Sequence, residues 1–376
     1  MRYCKKCVNV DTRPDGEFDE EGVCPACRFK ENKDEEFVDF IERRKELDEI
    51  VTWGKTNSRS SYDCIVTVSG GKDSMRQAFF ARDELDLKPL LVNSAYPPEQ
   101  LHERGAKNLG NLISHGFDTV SMSLDPQLWK KMMRASFFAY GNQAKSTEMA
   151  LYSIPIHVAI AYKIPLVFLG ENPLNVLGQQ EGKAKGGNAT GMHYSNTLEG
   201  GSPDKIAQNI ASKKDTYFYR YPSDDELDFG NLRIVYLGYY IEDWSLLKNA
   251  ELGIENGLII RDDNPDNTGD YFGVSALDEE FKIVNAMIKY IKFGYGAVTD
   301  QVCIAMNNGL LSRKEGFEVV KKFDGKCAQY YIELFCDYLE ITHDEFWEVV
   351  ESYRGKDAWK KDQNGKWQLK ANYPNL

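Results

Sequence analysis

The chain has 376 residues, 42% hydrophobic and 12% aromatic, a composition typical of soluble globular proteins. Its 46 basic and 58 acidic residues give a net charge of −12, which provides no general attraction to a polyanion such as RNA. No apolar run approaches the roughly 18 residues of a membrane span, and no apolar segment follows the charged start as in a signal peptide. We therefore expect a cytoplasmic protein with two domains, or with one large domain and appendages, and with no membrane partner. Binding to nucleic acid is disfavoured, although a local basic patch could still support it.

The first motif is a pair of Cys-x-x-Cys sequences. Cys4 and Cys7 are followed, after sixteen intervening residues, by Cys24 and Cys27. This spacing is typical of a zinc ribbon, in which four thiolates surround a tetrahedral Zn²⁺ ion. Two metal-free pairs are the alternative, and a redox role is disfavoured because neither pair starts a helix after a strand. We predict a structural zinc ribbon over residues 1–29 and a helical linker over 30–60.

Beyond residue 60, strand-like apolar runs alternate with helix-length segments. Strands are predicted at 64–68, 88–93, 118–124, 165–169 and, at a sheet edge, 232–238, with helices at 74–85, 99–115, 126–140 and 147–163, the last kinked at Pro155. This alternation predicts an α/β fold with a doubly wound parallel sheet in a domain spanning 61–255. Helical patterns and the capping boxes at Ser312 and Thr342 predict a mostly helical C-terminal domain over 256–376.

The loop after the first predicted strand reads Ser69-Gly70-Gly71-Lys72-Asp73-Ser74. Paired glycines let backbone N–H groups approach a ligand closely, and the start of the following helix favours an anion. The lysine adds positive charge, and the aspartate suits such a site if it holds Mg²⁺ or orients the lysine. The spacing differs from that of a Walker A loop. An ordinary turn is the alternative, but ordinary turns rarely combine these features.

Other candidates stand where ligands bind such sheets, at the carboxyl ends of the strands. Asn93 ends the second predicted strand, and Gly170-Glu171-Asn172 follow the fourth, where a plain turn is the alternative. Residues 178–202 lack apolar periodicity and are predicted to form a loop, either a lid over the site or a solvated segment. Three side chains in this loop are candidate contacts to phosphate or to an acidic substrate: Lys183, Lys185 and His193.

The Ser69–Ser74 loop resembles the pyrophosphatase loop of the ATP-dependent adenylating superfamily, the PP-loop enzymes. That resemblance implies an ATP site in which ATP is cleaved between its α- and β-phosphates and the loop holds the departing pyrophosphate. In the superfamily, a polar motif after the strand that corresponds to 165–169 completes the ATP site. This implies catalytic roles for Lys72 and Asp73, a Mg²⁺ ligand at Glu171, and a phosphate or acceptor contact at Asn172.

The ribbon, the loop and the C-terminal stretches 292–301, 308–316 and 322–325 together resemble the N-acetyl sugar amidotransferases. These PP-loop enzymes act in bacterial surface-polysaccharide pathways, including those of lipopolysaccharide O-antigen and nonulosonic acids. The resemblance implies that ATP adenylates an acetamido group of a sugar or nucleotide sugar and that ammonia then converts it to an acetamidine. It also implies separate glutaminase and cyclase-like subunits, similar to those of histidine biosynthesis, because this chain shows no glutaminase motif.

Two other functions stay open at this point. The tRNA-thiolating PP-loop enzymes also often carry zinc ribbons, but many use further cysteines near the ATP site, and this chain has no additional Cys-x-x-Cys pair. A non-catalytic zinc-ribbon protein that only senses ATP is the other alternative. Release of pyrophosphate in the presence of an acetamido sugar nucleotide distinguishes both from an amidotransferase.

Overall fold

The computed structural model describes residues 1–35, 40–171, 186–195 and 197–371. The predicted site residues Asn172, Lys183 and Lys185 lie outside the described residues. None of the helices in the described ranges combines the length and the apolar character that a membrane crossing requires.

Five short strands form the central sheet. They are β1 Cys64–Thr67, β2 Pro89–Ala95, β3 Thr119–Ser123, β4 Leu166–Leu169 and β5 Arg233–Tyr236. Neighbouring strands all pair in parallel, in the order β3-β2-β1-β4-β5. The predicted parallel sheet is therefore confirmed, and the fifth strand lies at an edge.

The helices that surround the sheet and continue beyond it have the following bounds. They are α1 Pro25–Glu35, α2 Phe40–Asn57, α3 Lys72–Phe79, α4 Glu103–Ser114, α5 Pro126–Tyr140, α6 Ala144–Tyr162, α7 Asp204–Ala207, α8 Asp224–Phe229, α9 Leu246–Glu255, α10 Pro265–Thr268, α11 Phe281–Phe293, α12 Ala297–Asn307, α13 Arg313–Phe323, α14 Gln329–Leu339 and α15 His343–Ser352. The predicted capping boxes at Ser312 and Thr342 are present and start α13 and α15. A hairpin of β6 Trp359–Lys361 and β7 Trp367–Leu369 was not predicted from the sequence.

Strand order reverses between β1 and β4. From β1 the sheet continues to β2 and β3 on one side, whereas β4 and β5 lie on the other side. Ile65 is in register with Val167, and Val66 with Phe168. In open parallel sheets, ligands bind in the crevice beyond the carboxyl ends of the strands at such a reversal. The loops that leave β1 and β4 therefore flank the expected binding crevice.

Side chains of the strands alternate between two hydrophobic cores, as the two-residue period of a strand requires. Ile65 and Val167 belong to one core, whereas Val66 and Phe168 belong to the other. Because helices cover both faces, the central strands β1 and β4 read as almost continuous apolar runs, whereas the edge strand β3 is partly exposed and partly polar.

These cores cross the predicted domain boundaries. Leu47 and Val51, in the predicted linker, are buried against the sheet in one core. Phe281 and Val284, in the predicted C-terminal domain, are buried in the other core. Helix α2 and the start of α11 therefore contribute side chains to the cores on the two faces of the sheet.

Helix α6 continues through Pro155 without interruption and starts at Ala144, before the predicted residue 147. A proline within a helix leaves the carbonyl four residues earlier without its usual N–H donor. Here that carbonyl, of Leu151, accepts a 3.1 Å hydrogen bond from the Ser94 hydroxyl at the end of β2. The helix thus tolerates the proline because the sheet supplies the missing donor.

Candidate functional site

The predicted Ser69–Ser74 loop connects β1 to the first turn of α3, and its first and last residues are hydrogen-bonded to each other. The Ser69 N–H donates a 2.9 Å hydrogen bond to Ser74 Oγ, and Gly71, the residue before α3, offers no side-chain cap. The first N–H groups of the helix therefore lack the side-chain acceptor that caps many helices. This arrangement suits an anionic ligand, which provides those acceptors itself.

Gly70 is required by the shape of this loop. Its φ of +89° is a conformation that residues with side chains rarely adopt. A Cβ atom at this position would lie 2.6 Å from the backbone nitrogen of Leu109 in α4. Both the local conformation and the neighbouring helix therefore exclude a larger residue.

The charged residues of the loop are held by one another and by a distant helix. Lys72 Nζ lies 2.7 Å from one carboxylate oxygen of Asp73, and the Asn249 side chain in α9 donates a 2.7 Å hydrogen bond to the other. Asn249 is fully buried, whereas the Lys72 and Asp73 side chains remain 11% and 40% exposed. The pair is therefore positioned by the interior and still accessible to a ligand.

Gly170 and Glu171 lie beside this loop, at the end of β4. The Gln77 side-chain amide packs over Gly170, where a Cβ atom would lie 2.9 Å from Gln77 Nε2. Glu171 accepts a 3.0 Å hydrogen bond from the Tyr152 hydroxyl. Glu171 is exposed at the surface, yet the protein atoms around it displace water and raise its pKa, and the charge of Asp73 acts in the same direction. Two carboxylates that interact in this way are suitable ligands for Mg²⁺.

Asn93 supports the site through the sheet. It is buried, and its amide donates to the Val68 carbonyl at 2.9 Å while its oxygen accepts from the Ser121 hydroxyl at 2.9 Å. Both ends of the side chain are thus engaged by neighbouring strands, and the adjacent Ser94 lines the cavity.

The loop opens into a cavity of about 1050 Å³. That volume is at the upper end for small-molecule sites and provides room for a nucleotide beside a second substrate. Its walls come from the Ser69–Ser74 loop, the ends of β2 and β4, α6, the region before α9, and the segment that leads into α11. Among its polar lining residues are Lys72, Asp73, Gln77, Gln143, Glu171 and Glu279.

The predicted contact His193 is buried among other side chains beside this cavity. Its Nε2 lies 3.3 Å from Asp224, and its ring stacks on Tyr221 with 5.0 Å between the centroids. The neighbouring Met192 and Ser195 line the cavity itself. The role predicted for His193 stays a prediction.

The four N-terminal cysteines form a candidate metal centre. All four are buried, and the sulfurs of Cys4, Cys7, Cys24 and Cys27 lie within 4.8 Å of one another. Backbone N–H groups approach two of these sulfurs, with Cys24 N at 3.3 Å from Cys4 Sγ and Asn9 N at 3.3 Å from Cys7 Sγ. A tetrahedron with Zn–S bonds of about 2.3 Å fits such a cluster. The donor set is therefore compatible with the predicted structural zinc.

The cysteine cluster packs against the C-terminal helices. The Arg313 guanidinium donates hydrogen bonds to the carbonyls of Cys4 and Cys7, at 2.7 and 3.2 Å. Helix α1 begins at Pro25, between the two cysteines of the second pair, so Cys27 lies in its first turn, and the helix contributes Phe29 and Lys30 to the cavity wall. The ribbon thus takes part in shaping the cavity.

Several residues of the site were not predicted from the sequence. Asn249, Gln143 and Glu279 lie in helical or irregular segments without a recognisable motif. No local sequence pattern distinguishes a helical Asn or Gln in a binding site from one that faces solvent. The sequence therefore indicated at most the helices in which these residues lie.

One comparison with known proteins concerns the C-terminal part of this cavity. Residues 270–373 match the family model described as LPS biosynthesis protein WbpG-like, C-terminal domain. The C-terminal region is therefore similar to a domain of LPS biosynthesis proteins. It includes the cavity residues Asp278, Glu279 and Lys282, whereas the ribbon, the loop and the sheet lie outside the match. A search of curated proteins found no match.

Proposed function

We propose that the protein is an ATP-dependent amidotransferase that converts an acetamido group of a sugar or nucleotide sugar into an acetamidino group. The observation that carries this proposal is the position of the Ser69–Ser74 loop. It lies at the reversal of a parallel sheet and opens into a cavity of about 1050 Å³, which has room for ATP and an acceptor together.

The proposed reaction has two steps. The acetamido carbonyl oxygen attacks the α-phosphorus of ATP, the bond from that phosphorus to the β-bridging oxygen breaks, and pyrophosphate leaves. Ammonia then attacks the activated carbon, the C–O bond breaks, AMP leaves with that oxygen, and the nitrogen loses a proton. The products are the acetamidino sugar, AMP and pyrophosphate.

The loop would stabilise the charge on the departing pyrophosphate. Its backbone N–H groups and the Lys72 ammonium are fixed before reaction, so they need little reorganisation as negative charge develops. Mg²⁺, when bound, would neutralise part of the polyphosphate charge, and Asp73 and Glu171 are the carboxylates suited to hold it. Substrates bound between the cavity walls would limit the access of water to the adenylated intermediate.

The C-terminal match supports a place for this reaction in LPS biosynthesis. An acetamido sugar or nucleotide sugar of a surface polysaccharide is then the substrate class. Ammonia would come from separate glutaminase and cyclase-like subunits.

The cysteines favour this chemistry over sulfur transfer. Among the described residues, no cysteine lines the cavity. Cys64 is fully buried within β1, and burial raises the pKa of its thiol. A buried protonated thiol is a poor nucleophile, so the arrangement does not support tRNA thiolation.

The proposal is tested by incubating the purified chain with ATP, Mg²⁺, ¹⁵N-ammonium and a panel of acetamido sugar nucleotides. We expect pyrophosphate release that depends on the sugar, and a product in which one oxygen is replaced by ¹⁵NH. Glutamine alone should give no product without the partner subunits. Lys72→Ala should abolish turnover, whereas Lys107→Ala, an exposed lysine of α4, should not. ATP binding without sugar-dependent pyrophosphate release across the panel would contradict the proposal.

A further inference from the structure

A second polar region of the cavity is made by segments other than the nucleotide loop. It consists of Gln100, Gln143, Asp278 and Glu279, which we call the Glu279 wall. These residues come from the segment after β2, the residue before α6 and the segment before α11.

Glu279 is held in one orientation. It is 5% exposed, and its Oε2 accepts hydrogen bonds from the Phe281 N–H at 2.7 Å and from Gln100 Nε2 at 3.3 Å. Gln100 Oε1 in turn accepts from the Trp129 indole at 2.8 Å. Because an indole N–H can only donate, it fixes which end of the Gln100 amide faces the carboxylate. Within the described residues no group bonds Glu279 Oε1, so this oxygen is available to a ligand.

Gln143 provides an independent indication of a ligand. It is 2% exposed, and its Nε2 donates a 2.9 Å hydrogen bond to the Phe281 carbonyl. Its Oε1 is buried and has no hydrogen-bond partner among the described residues. An unsatisfied buried acceptor costs about 1–3 kcal/mol, which a bound donor would recover. Phe281 therefore links two acceptors, Gln143 Oε1 and Glu279, on one wall.

The chemistry of the wall identifies the class of ligand. Its available atoms are acceptors, so the ligand must present hydroxyl or N–H donors. Tyr96, Met133 and Phe281 also line the cavity and offer apolar surface to the C–H face of a ring. A ring bearing several hydroxyl groups and an acetamido N–H has both properties.

We propose that the Glu279 wall binds the sugar ring of the acceptor through its hydroxyl and acetamido N–H groups. This inference rests on the proposed function, because it identifies where the acceptor of that reaction is held. Glu279 and Gln143 are specificity-determining residues in this arrangement, whereas the Ser69–Ser74 loop binds the nucleotide.

The carboxyls of the wall act purely as acceptors only when they are ionised. Burial raises the pKa of Glu279 to about 7, and Asp278 adds to the effect while Lys282 opposes it. Burial likewise raises the pKa of Asp278 to about 6. Donors from a ligand stabilise the charged carboxylates, so sugar affinity should increase as the pH rises through 7.

The test is calorimetric titration of the full chain with UDP-N-acetylglucosamine and N-acetylneuraminic acid, and separately with a non-hydrolysable ATP analogue. Glu279→Gln and Gln143→Met should weaken binding of at least one sugar by tenfold or more and leave affinity for the ATP analogue within twofold. Lys72→Ala should weaken binding of the ATP analogue and leave sugar affinity within twofold. Glu318→Gln, on the exposed face of α13, should change neither affinity. Melting temperature and zinc content confirm folding, and Gln143→Met serves if Glu279→Gln does not fold.

Several outcomes overturn the assignment. These are sugar affinities unchanged in both wall variants, equal losses for sugar and ATP analogue, or absence of sugar binding by the parent chain. An increase confined to the KM for ammonium would instead make the wall an ammonium site. Sugar binding that depends on Glu279 without amidine formation would leave the wall intact and reject the proposed function. Amidine formation together with unchanged sugar affinity in the variants would support the proposed function and reject the wall as the sugar site.

Discussion

Asn249 donates a 2.7 Å hydrogen bond to Asp73, although 176 residues separate them in the chain. The amide comes from α9, which packs closely against α3, and it approaches the carboxylate on the oxygen that Lys72 leaves free. A fully buried residue thus orients the charged pair at the start of the helix that follows the Ser69–Ser74 loop. Asn249 is therefore a positioning residue for the proposed ATP site.

Replacing Asn249 with alanine should weaken ATP binding. A hydrogen bond to a charged group contributes about 1.5–3 kcal/mol. Because this bond is already present without ATP, only the part that strengthens on binding appears in the affinity, so we expect a loss of at most roughly a hundredfold. Titration with a non-hydrolysable ATP analogue measures the change. Asn57→Ala removes an amide hydrogen bond to the Trp53 carbonyl at the end of α2 and should leave the affinity unchanged. Equal affinities in the Asn249 variant and the parent would contradict a positioning role.

Gly70→Ala should disrupt the loop. The alanine must adopt a φ of +89° and place its Cβ 2.6 Å from the Leu109 backbone, so we expect a loss of stability of about 1–3 kcal/mol and loss of ATP binding. Gly110→Ala is a matched control within α4, since no atom lies within 4 Å of its Cβ. This control should stabilise the protein by about 0.5–1 kcal/mol. Urea unfolding measures the free energy of unfolding of both variants, which should decrease for Gly70→Ala and increase for Gly110→Ala.

Removal of the metal should affect both the ribbon and the cavity. A strong chelator should release one Zn²⁺ per chain, lower the melting temperature and weaken ligand binding, because Phe29 and Lys30 of the adjoining helix line the cavity. Cys24→Ser should reproduce these effects, whereas Cys327→Ser, away from the cluster, should retain zinc. Metal analysis of protein prepared with excess zinc provides the measurement, and a zinc-free, equally stable protein would reject the ribbon.

The raised pKa of Glu279 predicts a specific pH dependence. The folded protein holds this proton more tightly than the unfolded chain, whose carboxyl has a pKa of 4.5 against about 7 when folded. The stabilising contribution is therefore complete below the unfolded value and is lost as the pH rises towards 7. Glu279→Gln should gain stability relative to the parent over this range, by at most roughly 1.4 kcal/mol per pH unit.

Urea unfolding at pH 5, 6, 7 and 8 measures this difference. The groups that face the carboxyl are Asp278, Lys282, Gln100 and the Phe281 N–H, and the Asp278 charge should increase the slope above pH 6. Glu318→Gln, on the exposed face of α13, is the matched control for the loss of a carboxylate. A difference between Glu279→Gln and the parent that does not change with pH would show that burial does not raise the pKa of Glu279.

Short-range patterns were sufficient for much of this protein. The β-branched run before Ser69, the paired glycines and the helix-forming residues after them act within a few positions, so strand, loop and helix could be predicted together. The same holds for the Cys-x-x-Cys pairs and for the capping boxes at Ser312 and Thr342. In each case the motif is set by residues within a few positions of one another, and for the cysteines the spacing between the two pairs completed the prediction.

Only the tertiary structure brought the remaining partners together. Asn249 reaches Asp73, Ser94 bonds the carbonyl that Pro155 leaves unpaired, and Arg313 holds the ribbon. None of these contacts has a local signature, because each depends on strand order and on helices packed against opposite faces of the sheet. The Ser69–Ser74 loop could therefore be recognised in the sequence, whereas the wall proposed to bind the acceptor became visible only once distant segments were folded around one cavity.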